Sequence, residues 1–333
     1  MQWDLGYKTE SYGCFVNPVT WGDAEKFSIS SGSINKMDSG LMESADIDCY
    51  NSVVGSDKWI RLYMDVRQGG EINHVPVFTG LSSVPENDYD GMTNHQAIEC
   101  YSVLKPAQDV YLPIGWYAAK GFVGSEQIRR LLSVCPAPIV VHEGSPRLSQ
   151  HIVAENDETN LTMAEKILEA INWRLRIHGD GTIEVCPYDT EPRAVFSILR
   201  HNMICSNISV KDDKFSCPNV FRAVSDDASY TAYDHSNSQF SITSRGREVW
   251  AEESSVKLGT DETLKSYAER RLKELQDGSQ QGSYDRAFYP DIVPTDVIRL
   301  HYPSHGLNGK YTVTSQKIDL DSSGITSEEV KTA

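Results

Sequence analysis

The sequence contains no Cys-x-x-Cys pair and no cluster of cysteine and histidine at zinc-ligand spacing. Its seven cysteines, Cys14, Cys49, Cys100, Cys135, Cys186, Cys205 and Cys217, are odd in number and dispersed. A disulfide framework or zinc module is not expected, and the thiols read as reduced, mostly buried, small apolar side chains. Long apolar runs are also missing: Ile139-Val140-Val141 falls far short of the roughly 20 residues that a membrane helix needs. The N-terminus, Met1-Gln2-Trp3-Asp4-Leu5-Gly6, lacks the basic segment and apolar core of a secretory signal, so synthesis and residence in a cytoplasm are expected. Positive charge is scarce, with 31 Lys and Arg against 47 Asp and Glu and a formal net charge of −16. That balance disfavours tight binding to a phosphate backbone. It suits plain solubility, or a surface that DNA passes without sticking.

The chain has 333 residues, 39% hydrophobic and 23% charged, with 16 Tyr. This composition fits two or three globular domains with substantial cores. In the first hundred residues the periodicity is that of strands. Ala45, Ile47 and Cys49 alternate with Ser44, Asp46 and Asp48, Trp59 to Met64 forms another strand, Gly69-Gly70 turns the chain, and Val75 to Leu81 returns it. Pro76 suggests an edge position there. Strands at this spacing point to a barrel or sandwich.

Prolines at 106, 113, 136, 138 and 146 break up the next segment, which carries one short helix pattern from Ser125 to Ser133. Thr162 and Glu165 have capping-box spacing before Ile167, Leu168, Ile171 and Leu175, which predicts a helix. Leu175-Arg176-Ile177 and Thr182 to Val185 then pair across His178-Gly179-Asp180-Gly181 as a hairpin. From about residue 193 strands return at Asn207 to Val210, Asn219 to Ser225, Gln239 to Ser244, Glu248 to Ala251, Asp285 to Tyr289, Val297 to Tyr302 and Lys310 to Leu320. A long helix over residues 261–277, capped by Thr260 or Asp261, interrupts them. Ile60-Arg61-Leu62 and Ile298-Arg299-Leu300 lie in matched strand, Gly-bearing loop, strand contexts, which raises a duplicated barrel. The expected organisation is therefore a first β-barrel at 1–104, an α+β linking domain at 105–192, and a second β-barrel with its helix at 193–333. The fold class is mainly β.

Several groups invite a chemical role. His142-Glu143-Gly144-Ser145 places an imidazole, a carboxylate and a hydroxyl in one loop, but no Gly-x-Ser-x-Gly elbow occurs and a surface loop is expected. His301 and His305 have the i, i+4 spacing of zinc helices, yet Pro303 between them excludes a regular helix. Asp319-Leu320-Asp321-Ser322-Ser323-Gly324, with Glu328 or Glu329, meets only part of a calcium-loop pattern and reads as a polar turn. Glu252-Glu253, Asp212-Asp213 and Asp226-Asp227 read as solvated pairs. Trp3, Trp21, Trp59, Trp116, Trp173 and Trp250 are scattered along the chain, most expected as core or interface anchors. No residue is assigned a catalytic, metal-binding or cofactor-binding role, no cofactor is implied, and an enzyme is not expected.

Three stretches carry a resemblance. They are Asn17-Pro18-Val19-Thr20-Trp21 leading into Ile29 to Ile34 and Glu43 to Asp48, then Tyr101-Ser102-Val103-Leu104-Lys105-Pro106, and finally the ending. There Tyr289-Pro290-Asp291-Ile292-Val293-Pro294-Thr295-Asp296-Val297 precedes Gly309-Lys310-Tyr311-Thr312-Val313-Thr314-Ser315-Gln316 and Thr326 to Val330. Over nearly the whole chain this resembles the tail-tip or baseplate hub family of tailed bacteriophages and related contractile injection systems.

The resemblance implies two tail-tube-like β-barrels per subunit and a homotrimer forming a pseudo-sixfold ring. Such a ring joins a sixfold tail tube to a threefold tip and lines a DNA exit channel without specific DNA binding. Implied partners are the tail-tube, distal tail, tape measure and tip or fibre proteins. The implied location is the virion, after assembly in the bacterial host cytoplasm. Many relatives continue into a spike, peptidase or fibre-attachment module, which is not expected within this sequence. One departure stands out: the family's turn commonly has Gly before the Asp, and Thr295 stands there. No φ above zero is then expected at that position. A receptor- or carbohydrate-binding tail-tip protein is the alternative, favoured by clustered surface aromatics around a pocket. A cell-wall hydrolase is a third reading, favoured by a His/Glu/Ser constellation within hydrogen-bond reach.

Overall fold

A computed structural model describes residues 2–3, 6–38, 43–50, 54–197, 204–225, 228–256, 258, 262–277 and 280–333, with backbone only at 204–206. Eight strands come first: β1 Lys8–Val16, β2 Asp23–Ser28, β3 Ser31–Met37, β4 Glu43–Tyr50, β5 Trp59–Gln68, β6 Glu71–Ser82, β7 Glu86–Asp90 and β8 Thr93–Ser102. The middle region holds α1 Lys105–Asp109, β9 Tyr117–Ala118, α2 Gly124–Leu131, β10 Ile139–Val141, β11 Ile152–Val153, α3 Asn160–Ile171, β12 Trp173–Ile177 and β13 Ile183–Pro187. Next come β14 Ala194–Ser197, β15 Ile204–Asp212, β16 Val220–Val224, β17 Ser229–Tyr233, α4 Ile242–Arg245, β18 Trp250–Glu253 and α5 Leu264–Asp277. The chain closes on β19 Gln280–Ala287, β20 Val297–Tyr302, β21 Leu307–Asp319 and β22 Ile325–Thr332. The protein is mainly β, as expected.

The two β regions share one 14-stranded sheet, whose longest path runs β15-β19-β22-β21-β3-β4-β8-β6-β5-β1-β2. The seam is an antiparallel ladder between β21 and β3, in which Ile318 faces Ile34 and Gln316 faces Lys36. The two regions are therefore not a pair of separately closed cylinders. Alternation explains the layering: Ile34, Ala45, Ile47, Ile60, Leu62, Met64 and Phe78 point to one face and are completely or almost completely buried. Phe288, Ile318 and Leu320 from the C-terminal strands complete that core. A second core gathers Phe196, Tyr284, Ile298, Leu300, Tyr311 and Val313. Pro76 sits where β6 has β5 as its ladder partner, next to a bulge in β6 at which Val77 is the extra residue opposite Leu62 and Tyr63. The β6–β8 ladder runs only from Gly80 to Ser82. The edge position expected for this proline is what the ladders show.

The middle region has its own core, in which Ile128, Leu132, Ile167, Leu168, Trp173, Leu175 and Val185 pack together. The helix read at 125–133 is α2 followed by a 3₁₀ turn over Leu132–Val134. The capping box at the start of α3 lies three residues earlier than the sequence suggested. Thr159 is the N-cap and Thr162, not Glu165, is its reciprocal partner. Thr–Thr reciprocity meets the same backbone N–H demand as a Ser/Thr–Glu box.

The strands read at 219–225 and 248–251 do not join the main sheet. They are β16 and β18, and with β17 they make a separate three-stranded sheet covered by α5. The segment Gln239 to Ser244, read as a strand, instead bends into α4, because Ser241 caps Ser244 N–H and Gly246 ends the turn at φ 63°. The long helix is Leu264–Asp277; its expected cap at Thr260 or Asp261 lies outside the described residues. No described helix is long and apolar enough to cross a membrane.

Candidate functional site

The hairpin of β12 and β13 touches both β regions, and its turn is shaped for contact. His178 N–H donates to Thr182 O at 3.0 Å and Gly181 N–H donates back to His178 O at 2.8 Å. Asp180 Oδ1 accepts from Thr182 N–H at 2.9 Å. Gly179 lies so close to β6 that a Cβ there would sit 2.0 Å from the Pro76 carbonyl oxygen. Gly181 adopts φ 83°, and a Cβ would meet Trp21 and Thr79. Glycine is demanded at both positions.

Arg61 of β5, 6% exposed, fastens this tip. Its guanidinium donates to Asp180 O at 2.9 Å, to Asp23 Oδ1 at 2.6 Å and to Thr79 Oγ1 at 3.1 Å. Trp21 Nε1 also donates to Asp180 O, at 3.0 Å, and Trp21 packs on Trp59.

The other contact is made by alternate residues of β12. Trp173 and Leu175 enter the middle core, so Arg174 and Arg176 face the opposite way, toward the turn before β20. Arg174 donates to Asp296 Oδ1 at 3.0 Å, to Thr295 Oγ1 at 2.7 Å and to Asp189 Oδ2 at 2.8 Å. Arg176 reaches Asp296 Oδ1 at 3.3 Å and the Asp291 carbonyl at 2.6 Å, and Arg193 lies 3.2 Å from Asp296. Asp296 is fully buried and also accepts from Val293 N–H at 3.0 Å. At the rim Glu184 accepts from His142 at 2.6 Å and His178 at 2.9 Å. Although burial opposes it, these two imidazoles hold the Glu184 carboxyl below its usual range.

Thr295 overturns one expectation. Its φ is 76°, in the left-handed region that a β-branched residue enters only at a cost of order 1–3 kcal/mol. The conformation is fixed from three sides: Thr295 N–H donates to Val313 O at 2.8 Å, Val313 N–H donates to Asp296 O at 3.0 Å, and Arg174 holds the hydroxyl.

Beside this joint α3, β12, α5 and β22 enclose a cavity of about 750 Å³, lined among others by Glu165, Glu169, Arg270, Arg271, Tyr188 and Lys331. Its arginines are already committed: Arg270 to Glu262 and Glu274, Arg271 to Glu253 and Glu274. Among the described residues no group of three or more His, Cys, Asp or Glu is placed to hold a metal ion.

The residues singled out in the sequence are spread across the molecule. His142 is engaged by Glu184, while Ser145 Oγ accepts from Ser125 N–H at 3.0 Å. No hydrogen bond joins that imidazole to that hydroxyl. His301 bonds Asn308 from β20, and His305 bonds Ser304 in a 3₁₀ turn. Asp321 spends its carboxylate on its own turn, accepting from Ser323 Oγ, Ser323 N–H and Gly324 N–H. These bonds, the Ser323 hydroxyl foremost, hold its carboxyl below the usual range. Glu328 is buried against Arg286 and accepts from Tyr284 at 2.8 Å, and Glu329 accepts from Ser315. Glu252 pairs with Arg222, Glu253 with Arg271, and Asp212 with Lys214. Asp226-Asp227 lies outside the described residues. The six cysteines whose side chains are described are free and buried, as read; burial pushes the Cys49 and Cys135 thiols up to about 11.

This architecture, a continuous antiparallel sheet with an α+β unit wedged against it, is the fold of phage-type tail proteins. It is similar to the crystal structure of a tail protein from Neisseria meningitidis MC58, with TM-score 0.72 and 13% identity over 98% of this chain and 97% of that one. It is also similar to the prophage MuSo2 43 kDa tail protein from Shewanella oneidensis, with TM-score 0.67 and 13% identity over 97% and 98%. A third match is an Escherichia coli type VI secretion component described as similar to T4 tail proteins, with TM-score 0.51 and 8% identity over 99% of this chain and 75% of that one. No protein-family profile and no curated protein matches the sequence. The resemblance read from the sequence thus holds at the level of the whole fold.

Proposed function

We propose that this chain is a structural, non-enzymatic component of a phage-type tail tip or baseplate, in which three copies close a ring on the sixfold tail tube. The carrying observation is that the fold of tail proteins extends over 98% of the chain. The two β regions act as copies of one tube-like unit, so three chains supply six units, and the linking hairpin sets the angle between them.

The solvent face of the shared sheet supports a channel role. One register row runs Asp285, Ser327, Lys317, Asn35, Ser44 and Tyr101 across six strands without interruption at the seam. A groove of about 310 Å³ lies along it, and one of about 520 Å³ lies on the neighbouring row of Ser283, Glu329, Ser315 and Met37. A wall of hydroxyls, amides and dispersed charge gives a DNA backbone few fixed cations to hold. Partners in this reading are the tail-tube, distal tail, tape measure and tip or fibre proteins, and the location is the virion, assembled in the host cytoplasm. Native mass spectrometry of the chain with its tail-tube partner tests it. A species of three times the 37.2 kDa chain mass is expected, and a chain that stays monomeric beside its partner overturns the ring.

A further inference from the structure

The segment between β15 and β19 carries a core of its own. One face of the β17-β16-β18 sheet packs Phe221, Ala223 and Ala232 against Tyr267, Ala268 and Leu272. The opposite face is open. Register places Tyr233 and Trp250 on either side of Val220, and Thr231 and Glu252 on either side of Arg222. Val220 is fully covered, yet Tyr233 and Trp250 remain 47% and 49% exposed. The two rings meet edge to face, 6.1 Å between centroids at 84°, and His235 stacks on Tyr233 at 5.9 Å. Polar groups surround them. Arg222 lies 5.9 Å from the Trp250 centroid and pairs with Glu252, and Trp250 Nε1 donates to Glu248 at 2.9 Å.

The size of the patch selects its ligand. Two half-exposed aromatic rings present roughly 200 Å² of apolar surface, well under the ~800 Å² per partner of a stable protein interface. Charge selects further: Arg222 is matched by Glu252, and Glu248 sits at the ring edge, so no net positive field draws a polyanion. A fitting ligand lays an apolar C–H face on a ring and directs hydroxyls outward to guanidinium, carboxylate and imidazole groups. A pyranose has both properties. We propose that this face is a platform for a neutral oligosaccharide, with Trp250 and Tyr233 as stacking surfaces and Arg222, Glu252 and His235 as hydrogen-bonding rim. All of these residues come from one chain, His235 from just past β17 and the others from one sheet.

Titration of the ¹⁵N-labelled chain with chitotriose and with cellotriose, following the backbone amide resonances of Arg222, Thr231 and Glu252 beside the two rings, tests this. A saturable shift at millimolar sugar is expected from at least one of them. Trp250→Ala abolishes the binding, Tyr233→Ala weakens it roughly five-fold, and Phe215→Ala, an exposed aromatic on Arg247, leaves it unchanged. Because Trp250 opens β18, Arg222→Gln provides a variant that retains both rings, and it also weakens binding. Absence of a saturable shift with both sugars, or binding that survives Trp250→Ala in a folded chain, overturns the proposal.

Discussion

Replacing Asp296 by Asn tests whether the linking hairpin is held by charge. Asp296 is fully buried and lies between Arg174 at 3.0 Å, Arg176 at 3.3 Å and Arg193 at 3.2 Å. The first two arginine side chains are 1% and 4% exposed, so neither reaches solvent when its carboxylate is removed. Arg174 keeps Asp189 at 2.8 Å, but Arg176 is left with Glu184 at 3.8 Å. Removing one partner of a buried ion pair costs about 3–5 kcal/mol, because the remaining charge is uncompensated. The amide N–H₂ also faces donors whichever way it turns, either the arginines that Oδ1 serves or Val293 N–H, which Oδ2 serves. The upper part of that range is therefore expected. Against a typical stability of 5–15 kcal/mol, such a loss is decisive. Equilibrium urea unfolding followed by Trp173 fluorescence measures it, since Trp173 is buried in the middle core one residue from Arg174. Asp189→Asn, whose carboxylate is about one-third exposed, serves as the milder comparison and is expected to lose clearly less. A loss below about 1 kcal/mol for Asp296→Asn, within the range of exposed pairs, refutes the reasoning.

Thr295 can be tested as a series. Thr295→Ala removes the hydroxyl bound by Arg174 and is expected to cost about 1.5–3 kcal/mol, whereas Thr295→Gly recovers about 1–2 kcal/mol of that by relieving the positive φ. An unfolding midpoint for Ala equal to or above that for Gly contradicts the strain argument. Gly179→Ala places a Cβ against the Pro76 carbonyl and is expected to cost at least about 1–3 kcal/mol, while Gly6→Ala, which has open space, is silent in the same thermal melt. Asp321 has a folded-state pKa below its ordinary value, so its stabilisation is complete above the ordinary carboxylate range and vanishes as pH falls through the folded value. The stability gap between the parent and Asp321→Asn should therefore close in acid, and a gap that widens there shows the sign to be wrong. Glu329→Lys and Asp46→Lys add cations to the proposed channel face and should slow DNA ejection from assembled particles without reducing their number; unchanged ejection kinetics removes that face from the channel.

Part of the strand content is legible because β4 alternates strictly, Gly69-Gly70 marks the turn between β5 and β6, and His178-Gly179-Asp180-Gly181 marks the turn between β12 and β13. What alternation cannot show is which strands meet. The β3–β21 ladder joins residues 278 to 286 positions apart, and nothing local to either strand encodes the other. Alternation alone is also ambiguous at β12. Arg174 and Arg176 have the spacing of a solvent face, yet that face is buried because Asp296 and Asp189 meet it. The one signal in the chain was chemical: two arginines on one strand face and an acid in a Pro-containing turn. The separate β16-β17-β18 sheet was missed for a related reason, since each of its strands is ordinary and only their pairing with one another sets them apart.

The repeated Ile-Arg-Leu tripeptide sharpens this point. In both copies the outer residues do the same work: Ile60 and Leu62 in one core, Ile298 and Leu300 in the other, all without exposed surface. The central arginines differ, for Arg61 is buried under the hairpin tip while Arg299 is exposed. The second β region grips the hairpin instead through Asp296, two residues before Ile298. The polarity of the two joints is thus reversed: the first region donates to the hairpin's backbone carbonyl at Asp180, and the second accepts from the hairpin's guanidinium groups. A hairpin that exchanges ends cannot satisfy either joint, because an arginine would face arginines. Of the two senses in which the hairpin could lie between the two β regions, this reversal leaves the one in which Arg61, Asp296, Arg174 and Arg176 all find their partners.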